Sequence, residues 1–208
     1  MPPVRVAVLA SGRGSNFSAI LREIDSGRCS AEVLVLITNN PDAPAREAAR
    51  KAGVPVELVE RKAFGSREEM DRRIRELLDS YGVDLVVLAG YMLILRDKGL
   101  IGSYRNRIIN IHPALLPAFP GVDAQKQAFE YGAKVSGVTI HFVDESLDGG
   151  PIIYQEPVYI GDCRSAEEVS ARILGIEHKA YAKVIDSFSK GSYAIEGRRA
   201  TFVPSARP

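Results

Sequence analysis

The stretch VRVAVLASGRGSNFSAIL, residues 4–21, sets how the rest of the chain is read. Its opening run is apolar and β-branched without polar alternation, the pattern of a strand buried on both faces. A glycine-bearing turn follows at once. Phe17, Ile20, Leu21 and Ile24 then recur at helical spacing until Gly27 stops the pattern. Strand, tight turn and helix in direct succession open a βαβ unit.

The same alternation continues outward. EVLVLIT (32–38), VPVELV (54–59) and VDLVVLAG (83–90) read as strands, with charged helices over 44–53 and 66–82 that end at glycines. Such alternation specifies a Rossmann-like three-layer α/β fold: a mostly parallel central sheet, right-handed crossovers and helices on both faces. Ligands of these sheets bind beyond the carboxyl ends of the strands. RIINIH (107–112) continues the strands. GVTIHFV (137–143) and PIIYQEPVYI (151–160) read as an antiparallel pair, 165–190 as a long closing helix, and SYAIEG with ATFVP as a small terminal hairpin in a looser lobe. The prolines of 113–120 are interleaved with apolar residues, which makes a rigid loop rather than a linker. The expectation is one domain over 1–208.

Composition narrows the partners. A content of 46% hydrophobic and 25% charged residues suits a globular domain, and 27 Lys plus Arg nearly cancel 26 Asp plus Glu. That balance offers no electrostatic footprint for bulk nucleic acid or an anionic membrane, so small-molecule partners are expected. Cys29 and Cys163 lie outside any metal or redox spacing and read as two ordinary thiols of a reducing cytoplasm. The N-terminal apolar run is too short for a secretory signal, and no segment approaches a membrane span.

Three places carry candidate chemistry. The ASGRGSN turn (10–16) feeds a helix N-terminus, where unpaired N–H groups and the helix dipole suit a phosphate at Gly14, Ser15 and Asn16. The spacing fits neither the dinucleotide fingerprint nor a P-loop, which favours a monophosphate; the alternative is that Ser15 or Asn16 only caps the helix. In IINIHPALLPAFPG (108–121), Asn110 and His112 lie two apart near a strand end and so share a face. An amide and an imidazole side by side can hold an oxygen that gains charge, as in acyl transfer. In DESLDGGPI (144–152), Asp148 precedes two glycines that let backbone approach a ligand closely. Near His112 it would support an imidazolium and pass protons; otherwise Asp144, Glu145 and Asp148 are solvated turn residues. His141 reads as core, surface or a supporting residue, and His178 as an ordinary helix histidine. No cluster has metal-ligand spacing, so no metal is expected.

ASGRGSN, AGYMLIL (89–95), INIHPALLPAFPG (109–121) and LDGGPII (147–153), in this order, resemble the phosphoribosylglycinamide formyltransferases of purine biosynthesis, within the folate-dependent formyltransferase superfamily. The resemblance implies transfer of a formyl group from 10-formyltetrahydrofolate to the amine of glycinamide ribonucleotide without a covalent enzyme intermediate. It implies Asn110, His112 and Asp148 as catalytic residues. Gly14, Ser15 and Asn16 would take the substrate phosphate and Glu177 the ribose hydroxyls. Backbone of Met92, Leu93, Ile94 and Leu95 and of the turn at Asp144 would take the pterin. Arg67 aligns with a position that can meet the glutamate tail, or is a surface arginine. Residues 1–100 would form the phosphate-binding half and 101–208 the folate-binding and catalytic half of a cytoplasmic monomer or homodimer. The chain departs from the resemblance after the proline loop, where Asp123 and Gln125 stand in place of a histidine-containing stretch, which bears on substrate contacts. Related methionyl-tRNA formyltransferases and formyltetrahydrofolate hydrolases add a further domain to this core. Sugar-nucleotide formyltransferases lack the GRGSN loop, and a binding module that had lost activity would be free to lose the catalytic three.

Overall fold

A computed structural model describes residues 2–205. It contains β1 (Val4–Leu9), α1 (Ser15–Asp25), β2 (Ala31–Thr38), α2 (Ala45–Lys51), β3 (Val56–Leu58), α3 (Arg67–Tyr81), β4 (Leu85–Leu88), α4 (Lys98–Ser103), β5 (Ile108–His112), α5 (Ala124–Tyr131), β6 (Val135–Phe142), β7 (Ile152–Tyr159), α6 (Ala166–Ser187), β8 (Gly191–Glu196) and β9 (Arg199–Pro204). The strands form one sheet in the order β3-β2-β1-β4-β5-β6-β7-β9-β8. Pairing is parallel from β3 to β5 and antiparallel for β5–β6 and β6–β7.

Alternation along each strand divides the core into two layers. Val4, Val6 and Val8 of β1 join Phe17 and Ile20 of α1 and Tyr181 of α6 on one face, while Ala7 and Leu9 join Met70, Ile74 and Leu78 of α3 on the other. Successive strand side chains point to opposite faces, which is why β1 has no polar position in its last four residues. No helix among the described residues is long and apolar enough to cross a membrane.

Helix stops fall where glycine can adopt a left-handed conformation: Gly82 (φ 64°) closes α3, whose other end is capped by the Ser66 hydroxyl accepting from Glu69 N–H. Helices α4 and α5, of six and eight residues, are not among the expected elements. The terminal hairpin, expected in a looser lobe, instead pairs β9 with β7 at Ile152↔Arg199 and extends the sheet. Tyr193 of β8 stacks edgewise on Phe142 and Phe202, and this aromatic packing holds the hairpin to the sheet edge.

Chain order reverses between β1 and β4, whose outward neighbours are β2 and β5. The crevice beyond the carboxyl ends of β1, β4 and β5 is therefore the topological switch point, where ligands of such sheets bind.

Candidate active site

Four segments meet at that crevice: the turn after β1, the loop after β4, the end of β5 with the proline loop, and the β6–β7 turn. The end of β5 is fixed by its antiparallel partner, with Asn110 opposite His141 and His112 opposite Thr139. Asn110 and His112 share one face of β5, as their spacing requires. His112 is nonetheless only 3% exposed. Thr139 holds the proline loop over it, its hydroxyl donating to Ala114 O (2.7 Å) and accepting from Leu116 N–H (3.0 Å).

The His112 ring bridges two loops. Its Nε2 lies 2.8 Å from Phe119 O, and a carbonyl can only accept, so Nε2 carries a proton. Its Nδ1 faces Asp148 Oδ2 at 3.5 Å. A second proton on the ring therefore sits on Nδ1, facing the Asp148 carboxylate. Asp148 itself adopts a left-handed conformation (φ 49°), which aspartate tolerates better than most residues. Its Oδ2 accepts from Gly121 N–H at 2.8 Å, tying the β6–β7 turn to the proline loop.

His141, read from sequence as core, surface or support, belongs to this constellation. Its Nδ1 donates to Phe142 O (2.9 Å), leaving Nε2 as the acceptor for the Asn110 amide at 3.3 Å. Asp148 Oδ1 lies 3.7 Å from the same Nε2. Burial lowers the His141 pKa below 6.5, with the Phe142 carbonyl and Asp148 opposing, so the ring stays neutral and can fix the Asn110 amide. The second amide hydrogen of Asn110 remains for a ligand. The two glycines after Asp148 serve the chain itself. A Cβ on Gly150 would lie 1.9 Å from Phe142 O, so the close approach is to strand β6 rather than to a ligand.

At the other side of the crevice, Gly14 (φ 70°) is the N-cap of α1 and makes no side-chain cap. The alternative that Ser15 or Asn16 caps this helix is thus not realised. Instead the Asn16 amide donates to Glu177 Oε2 at 2.8 Å in a buried contact, and Asn16 Oδ1 is buried without a partner among the described residues. Glu177 is 6% exposed, and burial raises its pKa against the opposing Asn16 hydrogen bond. Tyr181, one turn further along α6, places its hydroxyl 2.9 Å from Leu88 O and 3.0 Å from Ile109 O. That contact seats α6 across β4 and β5 and so sets where Glu177 points. A cleft of about 590 Å³ beside Ser15 is lined by Arg13, Asp123, Gln125, Lys126, Ser170 and Leu174. The two departing positions, Asp123 and Gln125, therefore line the same cleft as Ser15 at the start of α1.

The loop after β4 carries Met92, Leu93, Ile94 and Leu95. Met92 N–H donates to the Ser11 hydroxyl at 2.9 Å, which couples this loop to the turn after β1. Met92 is 68% and Ile94 54% exposed, with Leu147 of the β6–β7 turn 58% exposed, an apolar rim around the mouth of the crevice. Asp144 lies in that turn and accepts from Ser146 N–H at 2.8 Å. Arg67 at the start of α3 meets this loop, its guanidinium donating to Ile94 O at 2.6 Å.

Comparison with known proteins bears on this geometry. Residues 4–185 match the family described as Formyl transferase. The phosphoribosylglycinamide formyltransferase of Bacillus subtilis is 42% identical over 181 residues, spanning 87% of this chain and 92% of its own. That of Escherichia coli is 40% identical over 190 residues, spanning 90% and 88%. Among solved structures, glycinamide ribonucleotide transformylase 1 from Symbiobacterium toebii superposes with a TM-score of 0.93 at 45% identity, covering 97% of this chain and 94% of its own. Fold, order of segments and extent of match agree, and the chain belongs to the formyl transferase family.

Proposed function

We propose that this protein transfers the formyl group of 10-formyltetrahydrofolate to the amine of glycinamide ribonucleotide, in purine biosynthesis. The observation that carries the reading is the convergence of Asn110, His112 and Asp148 at the switch point of the sheet, with His112 Nδ1 3.5 Å from the Asp148 carboxylate. The substrate amine attacks the formyl carbon, and negative charge develops on the formyl oxygen. The free Asn110 amide hydrogen and the Nδ1 proton of a protonated His112 stabilise that charge. Asp148 supports the imidazolium and takes the proton leaving the amine through a water. Collapse of the tetrahedral intermediate breaks the bond to the folate N10, which receives a proton, so formylglycinamide ribonucleotide and tetrahydrofolate leave.

Each substrate is held by residues from both halves of the chain. The unpaired N–H groups at the start of α1, at Ser15 and Asn16 after Gly14, take the phosphate. The buried Glu177, with the unpartnered Asn16 Oδ1 beside it, takes the ribose hydroxyls. The folate lies against the apolar rim, its pterin hydrogen-bonded by backbone of Met92, Leu93, Ile94 and Leu95 and of the turn at Asp144. Within the described residues, the N–H groups of Leu93, Ile94 and Leu95 make no hydrogen bond, which leaves them for a ligand. Both partners are small molecules, and the chain acts in the cytoplasm as a monomer or homodimer.

The test is to mix the protein with 10-formyltetrahydrofolate and follow release of tetrahydrofolate with and without glycinamide ribonucleotide. Release that requires the ribonucleotide is expected, and release without it would indicate a hydrolase instead. Asn110→Ala should lose about 2–4 kcal/mol of transition-state stabilisation, the worth of one oxyanion donor. Turnover close to wild type in that variant would remove its role.

A further inference from the structure

The proline loop folds back over a row of three side chains that crosses the antiparallel part of the sheet. His112 of β5 stands opposite Thr139 of β6, and Thr139 stands opposite Gln155 of β7. Directly paired residues point to the same face, so the three form one line from the reaction centre to the outer strand β7. Each of them meets the loop through hydrogen bonds. His112 Nε2 lies 2.8 Å from Phe119 O, and Thr139 takes Ala114 O and Leu116 N–H. Gln155 is exposed as a residue, yet its amide turns inward and spends its hydrogens on Leu116 O at 2.8 Å and on Thr139 Oγ1 at 3.0 Å.

Thr139 has one hydroxyl proton and gives it to Ala114 O, so the Gln155 amide is the donor in their contact and keeps the hydroxyl in that orientation. Leu116 O accepts from no other group among the described residues. The far end of the loop is held separately, by Gly121 N–H on Asp148 Oδ2 and by the Gln127 amide donating to Val122 O at 2.8 Å. Between the two ends Phe119 has a left-handed backbone (φ 53°), which a non-glycine residue keeps only where its surroundings impose it. The carbonyl that orients His112 is therefore set by what grips the loop on either side.

We propose that Gln155 is a positioning residue for the reaction: by holding Leu116 O and the Thr139 hydroxyl it keeps the Phe119 carbonyl on His112 Nε2, and so keeps Nδ1 facing Asp148. This rests on the proposed role of His112 in formyl transfer. Gln155 acts through the loop and not on a substrate, so its loss should reach the chemical step while leaving the binding of both substrates nearly intact.

The experiment joins steady-state kinetics to ring 15N NMR. Gln155→Met keeps the length of the side chain and removes both donors, and is expected to lower kcat about tenfold, on the order of one hydrogen bond, with little change in either KM. Gln155→Lys, which keeps a donor of similar reach, should recover most of the loss. The chain has three histidines, so His141→Gln and His178→Gln spectra assign the ring signals of His112 by elimination. In the wild type the neutral His112 ring should carry its proton on Nε2 alone, and in Gln155→Met it should populate both neutral forms, with urea unfolding little changed. Loss of kcat with the ring spectrum unaltered would overturn the proposal, as would wild-type kcat in Gln155→Met. Failure of the wild-type chain to transfer formyl to the ribonucleotide would instead sink the reading of function, and the ring spectra would still test the link from Gln155 to His112.

Discussion

Replacing Asp148 by Asn separates charge from shape at the centre of the site. Asparagine tolerates the left-handed conformation at φ 49°, and its Oδ1 can still accept from Gly121 N–H, so the turn and its tie to the proline loop persist. What disappears is the carboxylate 3.5 Å from His112 Nδ1. At an effective dielectric of about 20, two unit charges at that distance attract by about 5 kcal/mol. Water admitted to the crevice and reorientation of the new amide reduce this to roughly 2–4 kcal/mol, a fall of about thirty- to a thousandfold in kcat. Because imidazolium and oxyanion develop together in the transition state, the loss should fall on kcat, with both KM values little changed. Steady-state turnover with each substrate varied in turn gives the split, and urea unfolding checks the fold. A kcat within threefold of wild type would show that Asp148 is only a turn residue.

Gly14→Ala should be far more damaging than Gly90→Ala. Both glycines have positive φ, but an added Cβ at Gly14 would lie 2.6 Å from Ala45 Cβ, whereas at Gly90 it meets nothing within 4 Å. Left-handed backbone alone costs about 1–2 kcal/mol, and forced overpacking adds about 1–3 kcal/mol, so urea unfolding should rank the two variants clearly. Equal destabilisation would mean that α2 yields freely beneath the turn after β1. For pH, burial holds both His141 and His178 below 6.5, with the charge of Arg22 adding to the effect on His178. Each ring binds its proton more readily in the unfolded chain, so this contribution to stability is full above about pH 6.5 and is lost as pH falls below it. Asp71 and Glu177, whose pKa values burial raises, act with the opposite sign and favour the fold on acidification. The His141→Gln, His178→Gln double variant should therefore lose less stability than wild type between pH 7.5 and 5.5, and parallel losses would show that neither ring carries the effect.

The parallel half of the fold was legible because its strands are apolar on both faces and its helices end at glycines. That Asn110 and His112 share a face was legible for a simpler reason, since two residues apart on a strand is a statement about faces that needs no knowledge of the partner. His141 shows where that logic stops. Its direction depends on the register between β5 and β6, and a slip of one residue would have turned it to the opposite face. Only the observed pairing of Asn110 with His141 brings it to the site. Arg67 shows a different limit. A helix pattern places it one turn before Asp71, but which way a long side chain bends is decided by the loop it meets, here through Ile94 O.

The buried polar groups explain how loops from distant parts of the chain form one site. Among the described residues, nine polar or charged side chains are buried: Ser11, Asn16, Thr38, Asp71, His112, Ser136, Thr139, His141 and Glu177. All but Ser136, whose hydroxyl has no partner, act on segments that ring the crevice. Ser11 holds the loop after β4, and Thr38 accepts from Asn40, whose amide donates to Ser11 O. Asp71 holds that loop's far end, Thr139 pins the proline loop, and Asn16 meets Glu177 across 161 residues of sequence. A hydrophobic core is non-directional and cannot set the position of a loop to a fraction of an ångström, whereas a buried hydrogen bond fixes distance and angle. Each such group is costly to leave unpaired, so the loop that satisfies it is held in a single position. The apolar layers therefore determine the sheet, and these buried polar contacts determine the geometry at its carboxyl edge.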